Sequence, residues 1–106
     1  MRAPSILQTE KECYFTGATN NLECHHIYLS ANRNVSENNG FWVWLTADSH
    51  RGTCGVHGKH GERAGMILKM ECQRKFEETH SREEFRKLIG RSYFENISHE
   101  VRKVWI

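Results

Sequence analysis

Strand-like runs dominate the first half of the chain and helical periodicity the second. Phe41-Trp42-Val43-Trp44-Leu45 is the strongest strand signal, a run of aromatic and β-branched residues bounded by Gly40 and by polar Thr46-Ala47-Asp48. On a pleated strand Trp42 and Trp44 share one face, while Phe41, Val43 and Leu45 share the other. Leu22 to Leu29 reads as an earlier strand. Between the two, Ala31 to Asn39 is polar and carries Asn32, Asn34, Asn38 and Asn39, which predicts an irregular connection ending at an Asn39-Gly40 turn. The first ten residues show no clear period, and Tyr14-Phe15-Thr16-Gly17 followed by Ala18-Thr19-Asn20-Asn21 reads as a short extended piece and a turn.

After the second strand, Thr46 or Asp48 can open a helix, but Gly52, Gly55, Gly58 and Gly61 predict that any helix there is short or broken. From Glu62 to about His80 the period changes, with Leu68, Cys72 and Phe76 recurring along one face of a long amphipathic helix. Ser81-Arg82-Glu83-Glu84 is a capping box for a second helix carrying Phe85, Leu88 and Ile89, which Gly90 stops. Ser98 caps a last short helix through Val101, Val104 and Trp105. The Leu68, Cys72, Phe76 stripe reads as core, and Trp42 and Trp44 as packing between strand and helices, rather than as binding surfaces. The expected fold class is α+β, a single domain over residues 1–106. A strand-loop-strand-helix unit spans about 13–61 and C-terminal helices about 62–106.

A length of 106 residues is enough for one hydrophobic core, and 38% hydrophobic with 26% charged residues is a composition that folds. The formal charge of +2 permits nucleic-acid binding without indicating it. No apolar stretch approaches the roughly 20 residues needed to cross a bilayer, and Met1 to Glu10 lacks the apolar core of a signal peptide, so the expected location is the cytoplasm, with no membrane partner. Cys13, Cys24, Cys54 and Cys72 are irregularly spaced and read as reduced thiols. Thr16 stands where a C-x-x-C pair starting at Cys13 would have its second sulfur. A hydroxyl is a poor zinc ligand, which speaks against a structural zinc at this end.

The chemistry lies in histidine. His25-His26 sits on the first strand, and His50 and His57 lie just beyond the second. Imidazoles gathered from separate parts of a chain can hold a divalent ion with an open position for water or phosphate, and an unbound histidine nearby can take a proton from the attacking water. His60, His80 and His99, each isolated, read as surface residues. Arg33 and Arg51 flank the histidines and read as phosphate contacts, whereas Arg82, Arg86, Lys87, Arg102 and Lys103 are interleaved with acids and read as solvated helix faces.

The run Leu22-Glu23-Cys24-His25-His26-Ile27, then Ala31-Asn32-Arg33, Ser36-Glu37, Gly40, the apolar strand, His50 and Val56-His57 resembles the core of small phage HNH-type endonucleases associated with recombination. Gln73, Phe76-Glu77 and Arg82-Glu83-Glu84-Phe85 through Gly90 and Tyr93 are similar to the C-terminal helices of that group, so the likeness runs from about Cys13 to Phe94. The resemblance implies a ββα-metal fold and a divalent ion (Zn, Mg or Mn). His25 would be a ligand, His26 the general base, and His50 and His57 the remaining ligand candidates; Arg33 joins His26 among the catalytic candidates. It further implies hydrolysis of DNA phosphodiesters, with branched or recombination intermediates as candidate substrates. A second reading is a non-catalytic phage protein that uses the scaffold to bind, inhibit or recruit a host protein. A third is a DNA-binding accessory factor that needs no metal.

One geometric condition is independent of any family. Neighbours on a flat strand point to opposite faces, so His25 and His26 serving one centre predicts a local break in regular pairing near His26, and an undistorted strand through both counts against the mechanism.

Overall fold

A computed structural model of the protein describes residues 2–52, 55–58 and 61–94. Cys54, His60, His99 and the helix expected after Ser98 lie outside the described residues. The architecture is α+β. A two-stranded antiparallel sheet, β1 (Leu22–His26) and β2 (Trp42–Thr46), encloses a 3-10 turn (Ser30–Asn32) and helix α1 (Arg33–Asn39) in its connection. Helices α2 (Ala47–Arg51), α3 (Glu62–Phe76) and α4 (Arg82–Ile89) follow β2. Among the described residues no helix is long and apolar enough to cross a membrane.

The register pairs Glu23 with Leu45, His25 with Val43 and His26 with Trp42. Pleating then sorts the two faces. Phe41, Val43 and Leu45 are fully buried and join Leu68, Cys72, Phe76, Phe85 and Ile89 of α3 and α4 in one hydrophobic core. Aromatic rings dominate it. Phe41 meets Tyr28, Phe76 and Phe85 edge-on or tilted at centroid distances of 5.6 to 6.3 Å, the arrangement their quadrupoles favour.

The tryptophans depart from the expectation that they pack between strand and helices. Trp42 is buried under the N-terminal segment. Its Nε1 donates to the Ala3 carbonyl at 2.7 Å, and the Arg2 guanidinium lies 4.4 Å above its ring. Trp44 is covered by the same segment, with Lys11 4.6 Å above its ring. That aperiodic segment closes the outer edge of β2. Ser5 Oγ donates to the Trp42 carbonyl, Gln8 Oε1 accepts from Trp44 N, and Tyr14 N donates to the Trp44 carbonyl. An open strand edge is thereby satisfied without a third strand.

Residues 31–39, read from their asparagines as an irregular connection, form a 3-10 turn and α1 instead. Tertiary hydrogen bonds outweigh the weak local preference. Ser36, fully buried on α1, accepts from Tyr28 N and donates to the Tyr28 carbonyl, hooking the helix to the end of β1. Asn32 Nδ2 donates to the Ile89 carbonyl on α4 at 2.8 Å. Gly40, at φ 75°, ends α1 in the left-handed conformation that glycine adopts without strain.

β1 stops at His26 rather than continuing to Leu29, because Ile27 and Tyr28 turn into the core. α3 ends at Phe76 and not near His80, whose ring stacks on Phe76 at 4.1 Å. α4 has the full capping box of Ser81 and Glu84, and Gly90 at φ 98° stops it. Truncating Phe85, fully buried among Tyr28, Phe41 and Phe76, should cost about 3–5 kcal/mol. Ser81→Ala, which removes only the cap, should cost about 1 kcal/mol. Urea denaturation of the two variants measures both.

Candidate metal centre

The β1–β2 register turns His25 inward, onto the face that carries Phe41 and Val43, where it is only 4% exposed. The second ring comes from α2. Thr46 caps that helix by accepting from Ser49 N at 3.2 Å, and His50 falls in its last turn. The third ring returns by a tight reversal. Gly52 N bonds to the Asp48 carbonyl, Val56 N to the Ser49 carbonyl, and His57 N to the His50 carbonyl at 2.8 Å. The seven-residue interval from His50 to His57 is therefore a folded-back loop, not two turns of helix. Gly55 permits it, because a Cβ there would stand 2.5 Å from the Asp48 carbonyl oxygen and 2.7 Å from that of Ser49.

The outcome is a triangle of imidazoles. Centroids are 5.2 Å apart for His25 and His50, 5.0 Å for His25 and His57, and 4.8 Å for His50 and His57. One ligand nitrogen from each lies within 4.8 Å of the others, so the three could hold a metal ion. A tetrahedral ion with bonds of about 2.0–2.1 Å would need them roughly 3.3 Å apart, within reach of small ring rotations. His25 Nδ1 is buried and has no hydrogen-bond partner among the described residues. A buried ring nitrogen left unsatisfied costs about 1–3 kcal/mol, a cost that an ion coordinated at that atom would remove. Burial, then the neighbouring His50 and His57, lower the His25 pKa to about 3, so its ring is neutral and its lone pair available at ordinary pH. Burial followed by His50 lowers that of His57 as well.

Two acids hold the histidines, and neither stands out for chemistry when the sequence is read for histidines alone. Glu23 Oε1 accepts from His50 Nδ1 at 2.8 Å, and the same carboxylate takes two bonds from Arg51, Nε to Oε1 at 3.0 Å and Nη2 to Oε2 at 2.7 Å. Arg51 first and His50 second lower the Glu23 pKa to about 2. Glu37 Oε1 lies 2.7 Å from His26 Nε2, and that bond holds the Glu37 carboxyl below its ordinary range. The position of Glu23 two residues before His25, hence on the same strand face, was the available signal. Glu37 carries no such signal, since α1 must form before it can reach His26.

His26 is not part of the triangle. The expected break near His26 is absent: pairing is regular through both His25 and His26, and the strand ends only after them, the chain bending at Ile27. The ring of His26 therefore leaves the opposite face, toward Glu37. Arg33, exposed at the start of α1, is near enough to Glu37 to act on its charge. Arg51, expected to contact phosphate, is exposed but already commits donors to Glu23. Cys13 is a core residue whose thiol points toward Thr46 and Ser49, and Thr16 accepts a bond from Ala18 N. No protein-family model matches the chain, and no match was found among curated proteins or solved structures. The site is read from its own geometry.

Two outcomes follow from the triangle. Gly55→Ala forces the loop away from Ser49 and separates His57 from His50, so the affinity for Zn²⁺ should fall roughly tenfold or more in a metal titration. For the metal-free protein, an unfolded chain protonates His25 near pH 6.5, whereas the folded chain refuses that proton until about pH 3. Stability from this group is complete above pH 6.5 and declines as pH falls, by at most about 1.4 kcal/mol per pH unit. In EDTA the urea midpoint should be lower at pH 5 than at pH 7.5, with a smaller difference in His25→Gln.

Proposed function

We propose that the protein is a metal-dependent endonuclease of the HNH type, with a ββα-metal core formed by β1, β2 and α2, hydrolysing DNA phosphodiesters. The observation that carries this reading is the buried, partnerless Nδ1 of His25 among three converging imidazoles. Nitrogen donors suit zinc and the later first-row ions better than magnesium, which prefers oxygen. When bound, such an ion supplies polarisation of a phosphoryl oxygen and charge stabilisation at the departing oxygen.

His26 is the general base in this reading. An ionised Glu37 can only accept, so His26 Nε2 carries the proton in their hydrogen bond and the neutral ring keeps its lone pair on Nδ1. That nitrogen takes the proton of the attacking water, and Glu37 both fixes the ring and stabilises the imidazolium that forms. His25 and His26 leave opposite faces of β1, so this reading requires the scissile phosphate to sit at the strand's end, where β1 stops at His26. Arg33 contacts a phosphate from the start of α1.

Plasmid and branched DNA incubated with the protein and Mn²⁺, Zn²⁺ or Mg²⁺ test the proposal. Cleavage should require His25, His50 and His57. His26→Ala should bind metal normally yet cut about 10²–10⁴-fold more slowly. No cleavage with any ion, or unchanged cleavage by His26→Ala, rejects it. A protein with no bound metal and no metal-induced rise in Tm would instead favour the non-catalytic binding protein that acts on a host protein.

A further inference from the structure

We infer that Glu23 is the positioning residue for the ligand His50, and that Arg51 acts on the centre through Glu23. The inference rests on the reading that the three histidines hold an ion, and it names how one of them is kept in place.

His50 is weakly held by its own element. α2 has five residues, none of them buried, and Gly52 follows it directly. The cross-link from Glu23 on β1 to His50 Nδ1 is therefore its main orienting contact among the described residues. A carboxylate only accepts, so Nδ1 must donate, and the neutral ring then presents its lone pair on Nε2. A single contact thus selects both the tautomer and the rotation of the ring, the service that carboxylates commonly perform for metal-binding histidines.

Arg51 holds the carboxylate in turn. Its planar fork meets both oxygens, which fixes the plane of the carboxylate and keeps Oε1 facing His50. The arrangement is compact in sequence as well as in space. Glu23 and His25 are two residues apart on one strand face, and His50 and Arg51 are adjacent on α2. One strand therefore contributes a ligand and the holder of a second ligand. If Glu23–Arg51 were only a surface ion pair, its removal would change little; coupling to His50 makes a different prediction.

The test uses the full chain with Zn²⁺ as the probe, and circular dichroism to establish that each variant folds. Glu23→Ala should weaken Zn²⁺ binding about 10–100-fold. Glu23→Gln, which keeps an acceptor for His50, should recover most of that loss. Arg51→Ala should weaken binding by less than Glu23→Ala, and Glu23→Ala/Arg51→Ala should bind no worse than Glu23→Ala alone, because Arg51 has nothing left to act through. Long-range proton–nitrogen spectra of the metal-free protein should show His50 as the Nδ1–H tautomer in the wild type and not in Glu23→Ala. His57→Ala, a ligand that does not touch Glu23, separates the two levels. If His57→Ala abolishes binding while Glu23→Ala leaves affinity and tautomer unchanged, the positioning role is overturned and the metal centre stands. If His57→Ala binds Zn²⁺ as the wild type does, the centre itself is overturned, and the inference with it.

Discussion

An imidazole buried beside two others loses the solvation that would let it take a proton, and it needs a partner for each ring nitrogen. His25 is in that position. The register of β1 on β2 sets it opposite Val43, on the face that continues into the apolar core, and leaves its Nδ1 without a partner. The surroundings keep the ring neutral, and the fold brings the rings of His50 and His57 to within about 5 Å of it. Such a cluster would be a liability in a purely structural core, where an apolar side chain would pack without the polar cost. It is well suited to a cation, because neutral imidazoles are ready-made donors and coordination removes the unsatisfied atom.

The rest of the fold serves that constraint from two sides. α3 and α4 pack on Phe41, Val43 and Leu45, and so fix the face on which His25 sits. On the opposite face the N-terminal segment covers Trp42 and Trp44, while α1, hooked to Tyr28 through Ser36, carries Glu37 to His26. Adjacent histidines thus have separate carboxylate-linked environments: the centre that includes His25 is braced by Glu23 through His50, and His26 is braced by Glu37. A thin sheet makes this workable. Among the described residues the sheet has two strands, and β1 stops at His26, so the two histidines stand side by side at the end of the strand.

Much of this was legible in the residues, and what was not has physical causes. The strand of Phe41 to Leu45, the capping box of Ser81 and Glu84, and the α3 stripe depend on local periodicity and capping, which sequence displays directly. The convergence of His25, His50 and His57 was legible as a suspicion from their spacing around two strands; the loop that returns His57 to His50 was not, because it depends on backbone bonds across Gly52 and Gly55 that have no pattern of their own. The helix at Arg33–Asn39 was hidden by its asparagines, since it is held by Ser36 and Asn32 through contacts with Tyr28 and Ile89. The place of Trp42 was misjudged for a similar reason: an aperiodic N-terminus gives no sign that it will cover a strand. Arg51 shows what sequence alone cannot display: its bonds to Glu23 come from a strand 28 residues earlier in the chain.

The central claim is that three imidazoles distant in sequence share one ion, and anomalous scattering from crystals of the Mn²⁺- or Zn²⁺-loaded protein tests it most directly. The expected result is one strong peak at about 2.0–2.2 Å from a nitrogen of each of His25, His50 and His57, with the buried Nδ1 of His25 no longer without a partner. A fully loaded crystal with no peak among those rings, or with its ion held elsewhere, would contradict it.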